Sequence, residues 1–118
     1  MIREIAFVGV PVTDIPRARA FYEGVLGFHP SGDTSGAWIE YEIGNATFGM
    51  GNYGDQWKPA EGGTMVSFEC DDLDGAVAKV KASGAEVKME IMDTPVCRFT
   101  IVADPDGNSI MLHKRKGG

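Results

Sequence analysis

The sequence predicts an α+β fold built from two βαβββ modules, and three observations predict it. The first is a repeat. Asp14 and Asp72 stand 58 positions apart (72 − 14), as do Phe7 and Met65, and Ala18 and Ala76, in a chain of 118 residues. A period of half the chain length marks two copies of one supersecondary unit. The second is that each copy opens on an apolar run, residues 5–10 or 65–70, followed by an acidic cap, a helical stripe and a stop glycine. The third is a set of further apolar runs behind each helix, separated by turn residues.

Residues 4–10, rich in Ile, Phe and Val, read as a buried strand. Asp14 is placed to cap the following helix, and Pro16 falls in the first turn, where its missing N–H costs little. Ala18, Phe21, Tyr22, Val25 and Leu26 recur at helical spacing, and Gly27 stops the helix. A weak strand is expected near 28–33, and stronger ones near 37–43 and 46–50, divided by Gly36 and by Gly44-Asn45. Residues 51–63 contain four Gly and one Pro with no periodic pattern, and read as a connector. The order then repeats. A strand is expected over 64–70. Asp72 is the cap, and Leu73, Ala76, Val77 and Val80 form the helix stripe. Strands follow near 86–92, 97–103 and 109–114, the last two joined by the strong turn sequence Asp104-Pro105-Asp106-Gly107-Asn108.

The length suits one compact domain over 1–118, with module one about 1–50, the connector about 51–63 and module two about 64–118. Apolar runs are strand-sized, so no membrane span is expected. No charged n-region, apolar stretch and cleavage site opens the chain, which makes cytoplasmic residence the default. In that setting Cys70 and Cys97 are expected as free thiols. The net charge is −6, and the only basic cluster, Lys114-Arg115-Lys116, sits at the end, where such charges are expected to be solvated. An acidic body repels phosphate, which argues against nucleic acid as a partner.

Asp14-Ile15 leading to Phe21-Tyr22 and Leu26-Gly27-Phe28 resembles the first module of the vicinal oxygen chelate superfamily, the group of glyoxalases, extradiol dioxygenases, fosfomycin-resistance enzymes and bleomycin-resistance proteins. Asp71-Asp72-Leu73-Asp74 with Ala76, and Asp104 to Asn108 before Ile110-Met111-Leu112, resemble its second module. The resemblance implies curved mixed sheets around a cup, as in glyoxalase and bleomycin-resistance folds, and a homodimer. It also implies a divalent metal, held by His, Glu or Gln from the first and last strands of each module. Carried across by the Asp14 and Asp72 registers, those positions fall at Phe7, Met65, Met111 and either Phe48 or Gly49. None of these is a ligand for a hard or borderline dication. No metal and no other cofactor is therefore expected. His29 and His113, the only histidines, are expected at the surface or rim, His113 at the cup edge by its parity with Met111.

Alternation directs Phe7, Gly9, Met65, Ser67, Ser109 and Met111 into the cup, and Val8, Val66, Phe68, Ile110 and Leu112 towards the helices. Arg98 with Thr100 is a candidate for gripping a carboxylate or phosphate, the alternative being an ion pair on the rim. Trp38, Glu40 and Glu42 share one strand face. Glu40 is a candidate general base or cation contact, against the alternative of a solvated carboxylate. Trp57, with Tyr53 nearby, either covers the pocket mouth or anchors the connector. The ligand-binding set is thus Phe7, Trp38, Phe48, Trp57, Met65, Ser67, Arg98, Met111 and His113. The leading reading is a metal-free protein that binds a small molecule in an apolar, acidic-rimmed cup, similar to the bleomycin-resistance branch. The rival is a lyase or dioxygenase of glyoxalase type with a relocated metal site or with Glu40 as a metal-free base, and a third reading is a stability or regulatory module with the cup closed.

Overall fold

The computed structural model describes residues 1–33 and 36–117, which divide into two compact units, Met1–Pro59 and Ala60–Gly118. In the first unit, β1 (Val8–Pro11) leads to α1 (Ile15–Arg19), which runs on directly into a π-helical segment, Ala20–Val25. Strands β2 (Pro30–Asp33), β3 (Trp38–Ile43) and β4 (Ala46–Gly51) follow, then a 3₁₀ turn at Gly54–Gln56. The sheet order is β1-β4-β3-β2, with β1 parallel to β4 and the other pairs antiparallel. The second unit contains β5 (Val66–Glu69), α2 (Leu73–Ala82), β6 (Met92–Asp93), β7 (Cys97–Ala103) and β8 (Ser109–Arg115). Its sheet runs β5-β8-β7-β6 with the same sense of pairing. Each unit is one βαβββ module with a four-stranded mixed sheet, as the repeat predicts.

Both helix starts follow from their aspartates. Asp14 Oδ1 accepts the Arg17 N–H at 3.0 Å, and Asp72 Oδ1 accepts the Gly75 N–H at 3.0 Å. Each satisfies one of the donors that a helix leaves free at its first turn. Gly27 and Gly84, at φ 80° and 84°, take the left-handed conformation that ends each helical region. The π-helical segment was not foreseen from the spacing. There Leu26 N–H reaches Phe21 O at 3.0 Å, one residue further back than in an α-helix. Adjacent residues Phe21 and Tyr22 are both buried in this wider turn, while Val25 and Leu26 are half-buried.

Module one is held by aromatic packing. Tyr22, Phe28, Tyr41 and Phe48 form one cluster with ring centroids 5.2–6.2 Å apart. Full burial of such a side chain is worth about 1.5–3 kcal/mol. Tyr41 also donates from its hydroxyl to Glu23 Oε2 at 2.8 Å, and Arg19 Nε donates to the same oxygen at 2.6 Å, which ties the helical segment to β3. In module two, Leu73, Val77 and Val80 are buried on α2, which packs on β7 and β8. Facing them are Val102, Ile110 and Leu112. Between β7 and β8, buried Asp104 accepts N–H groups from Asp106 and Asn108, each at 2.9 Å, and Asn108 Nδ2 at 2.8 Å.

Three boundaries differ from expectation. The first strand begins at Val8 rather than at residue 4. Its register with β4 covers only residues 8–11, and Ile2 and Ile5 are exposed. The strand expected over 86–92 is reduced to a single bridge, Val87 with Val102, and the two-residue β6. The basic tail is more engaged than its position suggests. β8 runs through Arg115, and Lys116 pairs with Asp93 and donates to Thr94 O at 2.7 Å.

Candidate ligand-binding cleft

The first sheet has one face packed and one face open. Ile39 and Tyr41 on β3, with Phe48 and Met50 on β4, are buried. Trp38, Glu40 and Glu42 therefore lie on the opposite face of β3, as Thr47, Gly49 and Gly51 do on β4. Cross-strand partners share a face. Gly9 stands beside Gly49, Gly49 beside Glu40, and Gly51 beside Trp38. Three glycines thus form a patch of sheet without side chains.

Aromatic rings cover that patch. The indole of Trp38 lies over Gly49, so close that a Cβ there would collide with Cζ2 and Cη2 of the ring. At Gly51 a Cβ would stand 2.6 Å from Cε2 of Tyr53 and 2.9 Å from Cε3 of Trp38. At Gly9 it would stand 3.0 Å from Cη2 of Trp57. Trp38 and Trp57 are 6.3 Å apart with planes at 29°, and Tyr53 and Trp57 are 6.5 Å apart at 28°. Phe7 meets Trp38 edge-on at 5.2 Å. Together with Glu40 these four rings line an open cleft of about 510 Å³.

Glu40 is the one charged residue in the lining. Its Oε1 accepts the Trp38 Nε1–H at 2.9 Å, which orients both side chains. Among the described residues, Glu40 Oε2, Trp57 Nε1 and the Tyr53 hydroxyl have no protein hydrogen-bond partner. The cleft therefore offers flat π surface, one carboxyl oxygen open to a ligand and two polar tips.

The structure brings Phe7, Trp38, Glu40 and Trp57 together, with Tyr53. Phe48 requires correction. It is 2% exposed and packs against Tyr22 and Tyr41, and its partner in β1 is Val8, so the open-face position is Gly49. Arg98 also requires correction. Its partner Lys114, and the pairs Thr100 with Leu112 and Val102 with Ile110, set it on the packed side of the second sheet. There its guanidinium makes a two-pronged bond to Asp74 at 3.0 and 3.1 Å, while Thr100 is buried and donates to Met89 O. The rim ion pair is the alternative realised. Ser67, Met111 and His113 lie on the open face of the second sheet, with Met65 just before β5. Cys70 and Cys97 are free thiols, and His29 is exposed. The role of the glycines went unread, although an isolated glycine inside a strand pattern signals close approach of another group.

The metal implied by the resemblance does not fit these residues. Phe7, Gly49, Met65 and Met111 offer carbon, hydrogen and thioether sulfur, the wrong donors for a hard or borderline dication. Among the described residues, no three His, Cys, Asp or Glu side chains converge to hold a metal ion, and no metal-borne step follows from this donor set.

The chain is similar to known proteins along most of its length. It is 36% identical over 102 residues to CFP32 of Mycobacterium tuberculosis, provisionally named a glyoxylase, covering 81% of this chain but only 38% of that protein. It is 29% identical over 124 residues to YetH of Bacillus subtilis, a protein of uncharacterised activity, covering 95% and 98%. Its structure matches that of TnmS3, an antibiotic-binding protein from Streptomyces sp. CB03234, with a TM-score of 0.79 and 26% identity over 98% of both chains. No helix among the described residues is long and apolar enough to cross a membrane. The family model for glyoxalase, bleomycin resistance protein and dioxygenase matches residues 4–112, and on these grounds the chain belongs to the glyoxalase/bleomycin resistance protein/dioxygenase superfamily.

Proposed function

We propose that this protein binds a flat organic cation in the aromatic cleft of its first module and holds it without transforming it. The observation that carries this reading is the covered glycine patch: rings of Trp38, Trp57 and Tyr53 over Gly9, Gly49 and Gly51, beside the carboxylate of Glu40. Ring faces attract a delocalised cation, with about 0.5–2 kcal/mol for each good cation–π contact. The unpartnered Glu40 oxygen supplies the counter-charge, and a net charge of −6 favours approach of cations over anions. Arg98 is paired with Asp74 and is not among the residues lining the cleft. The cleft volume lies within the roughly 300–1,000 Å³ of small-molecule sites. The similarity to an antibiotic-binding protein supports a binding role.

Titration of Trp fluorescence with proflavine, a planar cation, and with naphthalene-2-sulfonate, a planar anion, tests the reading. Saturable quenching by proflavine, weak or absent with the sulfonate and reduced in Trp57→Phe, is the expected result. A flat response to both compounds would overturn it. Elemental analysis of protein purified without chelator, with thermal shifts over Mn, Fe, Ni and Zn, tests the alternative. Stoichiometric metal with a clear rise in Tm would replace this reading by a metal-dependent one.

A further inference from the structure

We infer that the open face of the second sheet carries a separate acid–base site, in which Glu69 holds the His113 imidazole ready to take a proton from a small phenol-class ligand. Glu69 and His113 are opposite each other in the parallel β5–β8 pair, and Glu69 Oε1 lies 2.6 Å from His113 Nδ1. The second oxygen accepts the Arg115 backbone N–H at 2.7 Å. Two bonds thus fix the carboxylate, and the carboxylate fixes the ring. The Arg115 N–H first, and His113 second, hold the Glu69 carboxyl below its ordinary range, so it is ionised at neutral pH. An ionised partner at Nδ1 places the neutral ring's proton there and leaves the lone pair on Nε2. Among the described residues Nε2 has no hydrogen-bond partner.

This is an oriented base without its nucleophile. The groups on the same face are Phe99 across β7, the Ser67–Met111 pair on one side and the Cys97–Arg115 pair on the other. The Cys97 thiol is engaged with Thr94 Oγ1 at 3.3 Å. Among the described residues, Glu69, Arg115 and Cys97 are the titratable groups at the strand positions adjoining His113, and Lys88 reaches the same face further along at Ser109. The ligand must therefore bring its own acidic proton. A carboxylic acid would arrive ionised and meet Glu69. A phenol arrives neutral, and its ring suits the half-buried Phe99 and Met111. Its O–H bond breaks, the proton passes to Nε2 and the electron pair stays on oxygen. The imidazolium then lies between the Glu69 carboxylate and the phenolate, with no co-reactant required. The site is built wholly from residues 67–115, all within the second unit.

The probe is p-nitrophenol, whose ionised form absorbs visible light, titrated into the full chain labelled with ¹⁵N-histidine. The expected result is a saturable rise in phenolate absorbance at fixed pH. The His113 ring nitrogens should move to the protonated pattern, while those of exposed His29 stay in place. His113→Gln should weaken binding about tenfold or more, the worth of one charge-assisted hydrogen bond. Glu69→Gln should lower the ionised fraction of bound probe. Absence of a saturable rise, an equal rise in His113→Gln, or unmoved His113 nitrogens would each overturn the inference.

Discussion

The indole of Trp38 rests directly on Gly49, with no room between them for a methyl group. Module one therefore receives its rings because its sheet is bare at that point. The same contact explains why Trp38 can hold Glu40 through Nε1 while its face stays on the strand.

Gly49→Ala should displace the indole. Overpacking at a tight contact costs about 1–3 kcal/mol, and chemical denaturation should register a loss of that size. Near-UV circular dichroism should change as Trp38 leaves its stack with Trp57, and proflavine quenching should fall with it. A variant with unaltered stability and spectrum would mean that the ring accommodates the methyl group by a small tilt.

Glu40→Gln tests the counter-charge alone. The amide keeps an oxygen to accept the Trp38 N–H, so stability should stay within about 0.5 kcal/mol. Proflavine affinity should fall about tenfold or more, and the salt dependence of binding should flatten. Isothermal titration at two ionic strengths reads both quantities.

Tyr41→Phe should remove part of the alkaline limit of stability. Burial first, and the Glu23 hydrogen bond second, push the Tyr41 phenol up. Its contribution is complete below the unfolded tyrosine pKa of about 10, and is lost as pH rises towards the elevated folded value. The phenylalanine variant should lose about 1 kcal/mol at neutral pH and decline less steeply above pH ~10. At the acid end, burial pushes the Glu23 carboxyl up, but bonds from Arg19 and Tyr41 outweigh it and the net displacement is downward. Denaturation midpoints across pH 3–11 check both limbs.

Arg98→Gln should leave ligand titrations untouched, because its guanidinium serves Asp74. The hydrogen bond and charge of Arg98 hold the Asp74 carboxyl below its ordinary range. That contribution is present above the unfolded aspartate pKa of about 3.9 and is lost as pH falls through the lower folded value. The variant should therefore show a weaker dependence of stability on acid. A change in proflavine affinity would instead connect Arg98 with the ligand.

Much of the frame was legible in the sequence because it rests on local chemistry. The 58-residue repeat, the Asp14 and Asp72 caps and the Gly27 and Gly84 stops all act within a few neighbouring residues. What went unread depends on pairing between strands. Arg98 and Thr100 stood open between the cup face and a rim ion pair, and their side is set by opposition to Lys114 and Leu112, a register that alternation within one strand does not fix. Phe48 and Gly49 differ by one residue, and only the partners Val8 and Gly9 decide which faces the rings. The first strand begins four residues later than expected because Ile5 carries the composition of a strand but has no strand beside it. Trp38, Glu40 and Trp57 were legible as candidates, but their assembly over the glycines was not.

The repeat also shows how the two modules have parted. Gly9, Gly49 and Gly51 occupy the same lattice points as Ser67, Met111 and His113, since both sets sit at matching places in parallel-paired strands. One copy has bare backbone at the points where the other carries full side chains. Duplication of the architecture therefore does not duplicate the receptor, and each polypeptide should take up a single equivalent of a stacking guest rather than two.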